Sequence, residues 1–188
     1  MKNLLLISLR YTLVTTLMLG IGYPLLITVI AQNLWNDKAN GQLISQNGTV
    51  IGSQLIGQSF TGENYFHSRP SAAGAGYDPT ASGGSNWAAT SQKLVDRTEA
   101  SVKMEQSGNA TTSVPIDLVT ASASGLDPEI TPAAAEFQAQ RVARARGLSL
   151  NQIQTLIQQN TMERQFGLLG ERRVNVLRLN LALDQFAK

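Results

Sequence analysis

A single N-terminal transmembrane helix followed by a mixed α/β (α+β) domain is the fold class that this sequence predicts. Three observations predict it. No charged residue occurs between Tyr11 and Asn36. The chain after that run carries separate hairpin and helix-capping signals. From Asp37 to Lys188 there are 13 Lys or Arg against 13 Asp or Glu, the formal neutrality of an ordinary folded domain.

The anchor comes first. Its centre, Tyr11 to Ala31, has 21 residues, which at the α-helical rise span about 32 Å, the thickness of a bilayer's hydrocarbon core. A cleaved signal peptide is the alternative, because Val29 and Ala31 have small-residue spacing. The apolar run is longer than a typical signal-peptide core, which favours a retained span. Lys2 and Arg10 precede the run, whereas Lys38 is the single cation in the thirty residues after it. Positive charge stays on the cytoplasmic side. The expected division is therefore a short cytoplasmic N-terminus over 1–10, a membrane helix over 11–34, and an extracytoplasmic domain over 35–188, in a single-pass protein of the cell's inner (plasma) membrane. Trp35 suits the outer interface.

Within the span, Thr12, Thr16, Gly20, Pro24 and Thr28 recur every four residues. Such a stripe of small or weakly polar groups allows another helix to approach closely, although a lipid-exposed anchor is the plainer alternative. Pro24 removes a donor and crowds the carbonyl of Gly20, so a bend is expected there. No ionisable side chain lies in the run, so the helix provides no ion path by itself.

In the domain, Leu43–Gln46 and Thr49–Gly52 flank Asn47-Gly48, the pair that a type I′ hairpin turn prefers. Ser53–Phe60 is a possible extension of that sheet. Residues 61–86 are rich in Gly, Ser, Ala and Pro, yet Tyr65, Phe66 and Tyr77 are set among them, with Trp87 just beyond. That composition indicates a long ordered loop, since a plain linker has no use for large rings. A helix is expected from about Ser91 to Gln106, fading into a polar stretch over Ser107–Ser113. A short strand is expected at Ile116–Thr120. Thr131-Pro132 at one end and Gly147 after Arg141, Arg144 and Arg146 at the other bound a helix over Pro132–Arg146. Ser149 and Gln152 form a capping box for a second helix, with Ile153, Leu156 and Ile157 on one face. Val174–Leu179 is read as a strand, with Asn180 capping a short terminal helix.

Sites of chemistry are sparse. With no cysteine and one histidine, His67, thiolate and multi-histidine metal centres are excluded. There is no G-x-S-x-G elbow and no S-x-x-K pair. Gly74-Ala75-Gly76 and Gly83-Gly84-Ser85 complete neither phosphate-binding fingerprint, so both are expected to be tight turns. The balanced charge of the domain argues against a nucleic-acid surface. A membrane-anchored sensor or ligand-binding module and an anchored hydrolase are the alternatives from other classes. The short N-terminal stub counts against the first and the missing nucleophile–base pair against the second.

Three blocks together resemble one family: Tyr65-Phe66-His67-Ser68-Arg69-Pro70-Ser71-Ala72 with Ala81-Ser82-Gly83-Gly84-Ser85-Asn86; Asp117 to Asp127 continuing into Ile130-Thr131-Pro132; and Asn180-Leu181-Ala182-Leu183-Asp184. The chain resembles, over essentially its whole length, the C subunit of the Kdp-type potassium-transporting ATPase. Trp87 departs from the smaller residue expected there. The resemblance implies a non-catalytic accessory subunit of a high-affinity potassium uptake complex. Its implied partners are a channel-like potassium-selecting subunit, a P-type ATPase subunit and a small single-span subunit. It implies a role in assembly, and a catalytic-chaperone role that raises the ATP affinity of the pump subunit. ATP and potassium would be handled by the complex, with no cofactor held by this chain. The topology places the domain opposite to the nucleotide, so any effect on ATP affinity is expected to be indirect. For docking, Tyr65, Phe66, Arg69 and Tyr77 are the candidate residues, because aromatic side chains and arginine often anchor interfaces.

Overall fold

The computed structural model describes residues 1–108 and 113–186. It falls into two compact units, Met1–Leu43 and Ile44–Lys188.

The first unit is dominated by one continuous helical rod, Lys2–Leu34, with a mean hydropathy of 2.1 over its most apolar stretch, long and apolar enough to cross a membrane. It comprises α1 (Lys2–Thr15), a π-helical stretch (Thr16–Gly22) and α2 (Tyr23–Leu34). Where a bend is expected at Pro24, the structure has that wider stretch just ahead of the proline. The Tyr23 N–H donates to Met18, five residues back, placing slack just ahead of the residue that cannot donate. Leu17, Met18 and Leu19 are all more than half exposed, which only an apolar surround tolerates. At the end of the rod Trp35 leaves helical geometry and α3 (Asn36–Ala39) follows. Gln32, Asn36 and Asn40 exchange side-chain hydrogen bonds of 2.9 to 3.1 Å there, a polar knot that closes the apolar run.

The expected hairpin, β1 (Leu43–Gln46) and β2 (Thr49–Ser53), starts at the last residue of the first unit and otherwise belongs to the second. Asn47 and Gly48 adopt φ of 53° and 79°, as a type I′ turn requires. The sheet does not extend through Phe60: after one bridge between Ser53 and Ile56 the chain turns away. The Gly57 N–H donates instead to Leu126 O. Beyond it α4 runs over Gln92–Gly108. The polar stretch expected to follow falls partly on 109–112, outside the described residues.

Ile116–Thr120 is not a strand. Ile116–Leu118 forms a 3₁₀ turn, and Asp117 and Leu118 within it and Val119 just after it are all buried, a run of three that alternating strand geometry cannot bury on one face. A three-stranded antiparallel sheet then assembles in the order β3 (Glu129–Ile130), β5 (Arg173–Asn175), β4 (Thr161–Met162). Its register pairs Ile130 and Thr161 with Val174. Helix α5 covers Pro132–Arg146 as expected, with the Thr131 side chain accepting from Ala134 N and Gly147 left-handed at the end. Helix α6 (Leu150–Gln159) opens with both halves of the Ser149–Gln152 box.

The segment read as a strand over Val174–Leu179 is strand only to Asn175, after which α7 runs over Val176–Phe186. Asn175, not Asn180, caps it: its Oδ1 accepts from Arg178 N at 3.0 Å. Val176, Leu179, Asn180 and Leu183 then share the buried helical face. Ile153 and Ile157 of α6, Val142 of α5 and Val174 of β5 meet that face in one core, which also takes in Phe66 from the long loop.

Candidate functional site

The long loop is held by two buried carboxamides. Asn180, on α7 and 2% exposed, accepts from Phe66 N at 2.9 Å and donates to Phe66 O at 3.0 Å. Gln138, on α5 and equally buried, accepts from His67 N at 2.7 Å and donates to His67 O at 3.1 Å. Each amide does for one loop residue what a neighbouring strand would do, so an extended segment without a ladder keeps its buried polar groups paired.

Arginines fasten the same loop. Arg141 donates to Glu63 O at 2.7 Å, to Tyr65 O at 3.0 Å and to Gln138 Oε1 at 2.8 Å. Arg146 donates to Asn64 O, pairs with Asp184 at 2.7 Å and lies 4.7 Å from the centre of the Tyr65 ring. The Tyr65 hydroxyl donates to Asp184 at 3.2 Å.

Further along, Arg69 pairs with Asp127 at 2.9 Å and reaches Thr120. The Tyr77 hydroxyl donates to Arg69 O. The Ser71 hydroxyl donates to Gly125 O at 2.6 Å. Gly125 has φ of 66°, and a Cβ there would stand 2.6 Å from Ala73 N, so this crossing admits only glycine. Gly84 similarly lets the chain pass Ala123. Gly74 and Gly76 take positive φ in a tight turn. Trp87 finds a local partner in Arg97, 5.0 Å from its ring centre, within cation–π range.

Of the four candidate docking residues, Phe66 is fully buried and its ring belongs to the core. Tyr65, Arg69 and Tyr77 keep part of their surface while their polar ends are engaged within the domain. In the helical rod, Thr12 lies in α1, Thr16 and Gly20 in the π-helical stretch, and Pro24 and Thr28 in α2. Thr28 returns its hydroxyl to Pro24 O at 2.8 Å. A Cβ at Gly20 would meet only Thr16 Cγ2, at 3.7 Å.

A cleft of about 140 Å³ lies beside the clamp, lined by Glu63, His67, Glu105, Phe137 and Arg141. Burial and the Arg141 cation push the His67 imidazole below its usual range, while burial raises the Glu105 carboxyl. His67 Nε2 lies 3.0 Å from Gly62 O, which commits that nitrogen to the backbone rather than to a nucleophile. Among the described residues no group of three or more His, Cys, Asp or Glu is placed to hold a metal ion. What the arrangement does chemically is fix a loop.

Sequence reasoning missed the clamp. Gln138 and Asn180 stand out only as polar residues on apolar helical faces, and the loop residues they hold are 71 and 114 positions away.

Fold and site together define a helix-tethered α+β domain organised around one clamped loop. The chain belongs to the KdpC family: the family model described as "K+-transporting ATPase, c chain" matches residues 5–185. It is 58% identical over 184 residues to the potassium-transporting ATPase KdpC subunit of Koribacter versatilis, covering 98% of this chain and 95% of that protein. It is 59% identical over 175 residues to the subunit of the same name from Acidobacterium capsulatum, covering 93% and 94%. With that of Mycobacterium bovis it shares 50% over 188 residues, covering 98% and 100%.

Proposed function

We propose that this chain is a non-catalytic accessory subunit of a high-affinity, ATP-driven potassium uptake complex, held in the inner membrane by its N-terminal helix with the α+β domain on the extracytoplasmic side. The observation that carries this is the convergence of the three family-like blocks on one structure. Phe66 meets Asn180, Tyr65 meets Asp184, and Arg69 meets Asp127. Their residues spend their chemistry on shaping a rigid surface, and such a surface suits an assembly role better than turnover.

The partners proposed are the channel-like potassium-selecting subunit, the P-type ATPase subunit and the small single-span subunit. The helix would pack among membrane helices through Thr12, Thr16, Gly20, Pro24 and Thr28. Tyr65, Arg69 and Tyr77 would border the docking face, with Phe66 holding the loop beneath them. A catalytic-chaperone effect on ATP affinity would act as a coupling free energy carried through the membrane subunits, since nucleotide lies on the other side.

Gentle solubilisation of the membrane, capture of this chain and identification of its companions tests the proposal. All three subunits are expected in the eluate, and ATP half-saturation of the pump is expected at higher concentration when this chain is omitted. Elution of the chain alone would refute it.

A further inference from the structure

Between β4 and β5 the chain leaves the sheet as a narrow finger, Glu163 to Arg172, in which every residue is exposed. Its stem is laced by two ion pairs, Arg164 with Glu171 and Arg172 with Glu163 at 2.9 Å. Above them Gln165 and Leu169 exchange backbone hydrogen bonds of 2.9 Å in both directions. The tip is therefore hydrogen-bonded rather than slack.

What the stem presents is apolar. Phe166 is 95% exposed, Leu168 79% and Leu169 57%, three large apolar side chains within four positions of the chain. Phe166 also sits at φ of 54°, a left-handed conformation that a bulky side chain rarely adopts and that Asn or Gly would take with less strain. A turn selected only to reverse the chain would not place phenylalanine there. Among the described residues no hydrogen bond or ring contact of the Phe166 side chain repays that placement, which points to a benefit outside the domain.

The stem indicates what receives the tip. A loop that inserts into a bilayer keeps unpaired Lys or Arg beside its apolar end for anionic headgroups. Here both stem arginines are neutralised by stem carboxylates, and Arg173 just below is paired with Glu129 at 2.9 Å. An apolar tip inside a charge-balanced polar collar has the anatomy of a protein–protein contact.

We propose that Phe166, with Leu168 beside it, is a preformed plug that seats in an apolar pocket of another subunit of the potassium-transporting complex. This rests on the accessory-subunit function proposed above.

Two experiments on the full-length chain in its native membrane decide it. With p-benzoylphenylalanine in place of Phe166, irradiation is expected to yield an adduct with one pump subunit; adducts with lipid alone, or none, would overturn the proposal. With Phe166→Ser and Leu168→Ser combined, recovery of pump subunits on this chain is expected to fall roughly tenfold or more, while Phe166→Leu retains it. Neither side chain is buried, so limited proteolysis of the domain should be unchanged. If the wild-type chain recovers the subunits and the double variant recovers them equally, the plug is refuted and the accessory function stands. If the wild-type chain recovers none, both fail.

Discussion

Asn180 and Gln138 carry more of this domain than their size suggests, because each pairs a donor and an acceptor that would otherwise be buried without partners. Replacing Asn180 by Ala leaves the Phe66 N–H and C=O unsatisfied and frees the loop, at a cost of about 2–4 kcal/mol. Urea unfolding of the detergent-solubilised chain followed by a domain-specific signal checks this, and an unchanged midpoint would show that water replaces the amide. His67, held by the same clamp, gives the domain a pH dependence. Its folded pKa lies below the usual 6.5 through burial and Arg141, so the unfolded chain takes up the proton first as pH falls. Stability is then full above about 6.5 and lost as pH drops toward the depressed folded value. Glu105 faces the same cleft with its pKa raised above 4.5, which makes stability fall as pH rises through that lower range. Comparing wild type with His67→Gln between pH 5 and 7 isolates the histidine, and the variant's stability profile is expected to be flatter there.

At the scale of elements, the π-helical stretch changes how the anchor presents its stripe. In a regular α-helix a four-residue spacing overshoots one turn, so Thr12, Thr16, Gly20, Pro24 and Thr28 would wind steadily around the rod. A π-helical turn takes more residues, so the winding is less across Thr16–Gly22. A stripe that winds less suits the single neighbouring helix proposed for it. Gly20→Leu leaves the chain's own helix unobstructed, since a Cβ there meets only Thr16 Cγ2, but it would fill the approach of the neighbour proposed for that face. Recovery of the pump subunits is expected to fall at least several-fold with Gly20→Leu and little with Leu19→Ala, read by co-purification. Helices α5 and α6 show the opposite behaviour. Their ends are set by Thr131, Gly147 and the Ser149–Gln152 box within a few residues of chain, and they formed where those signals stand.

For the whole molecule, orientation is the property on which the proposed function turns. The chain has no cysteine, so Ser107→Cys supplies one label site, on the exposed side of α4. It is expected to react with a membrane-impermeant thiol reagent in intact cells; labelling only after lysis would put the domain on the nucleotide side and reopen direct contact with ATP. By itself the sequence determined the N-terminal apolar helix, the Asn47-Gly48 hairpin, both capped helices and the rings of the long loop, because periodicity, caps and turns act between residues a few positions apart. Tertiary structure alone decided the rest. It turned Ile116–Leu118 into a 3₁₀ turn by burying Asp117 against Thr131. It ended β5 at Asn175, because the apolar run after it satisfies a helical face as well as a strand and only packing chooses between them. It also drew Phe66 from the candidate interface into the core and left Phe166 on the finger fully outside. Burial and amide pairing are settled between groups far apart in the chain, and no local pattern records which distant groups will meet.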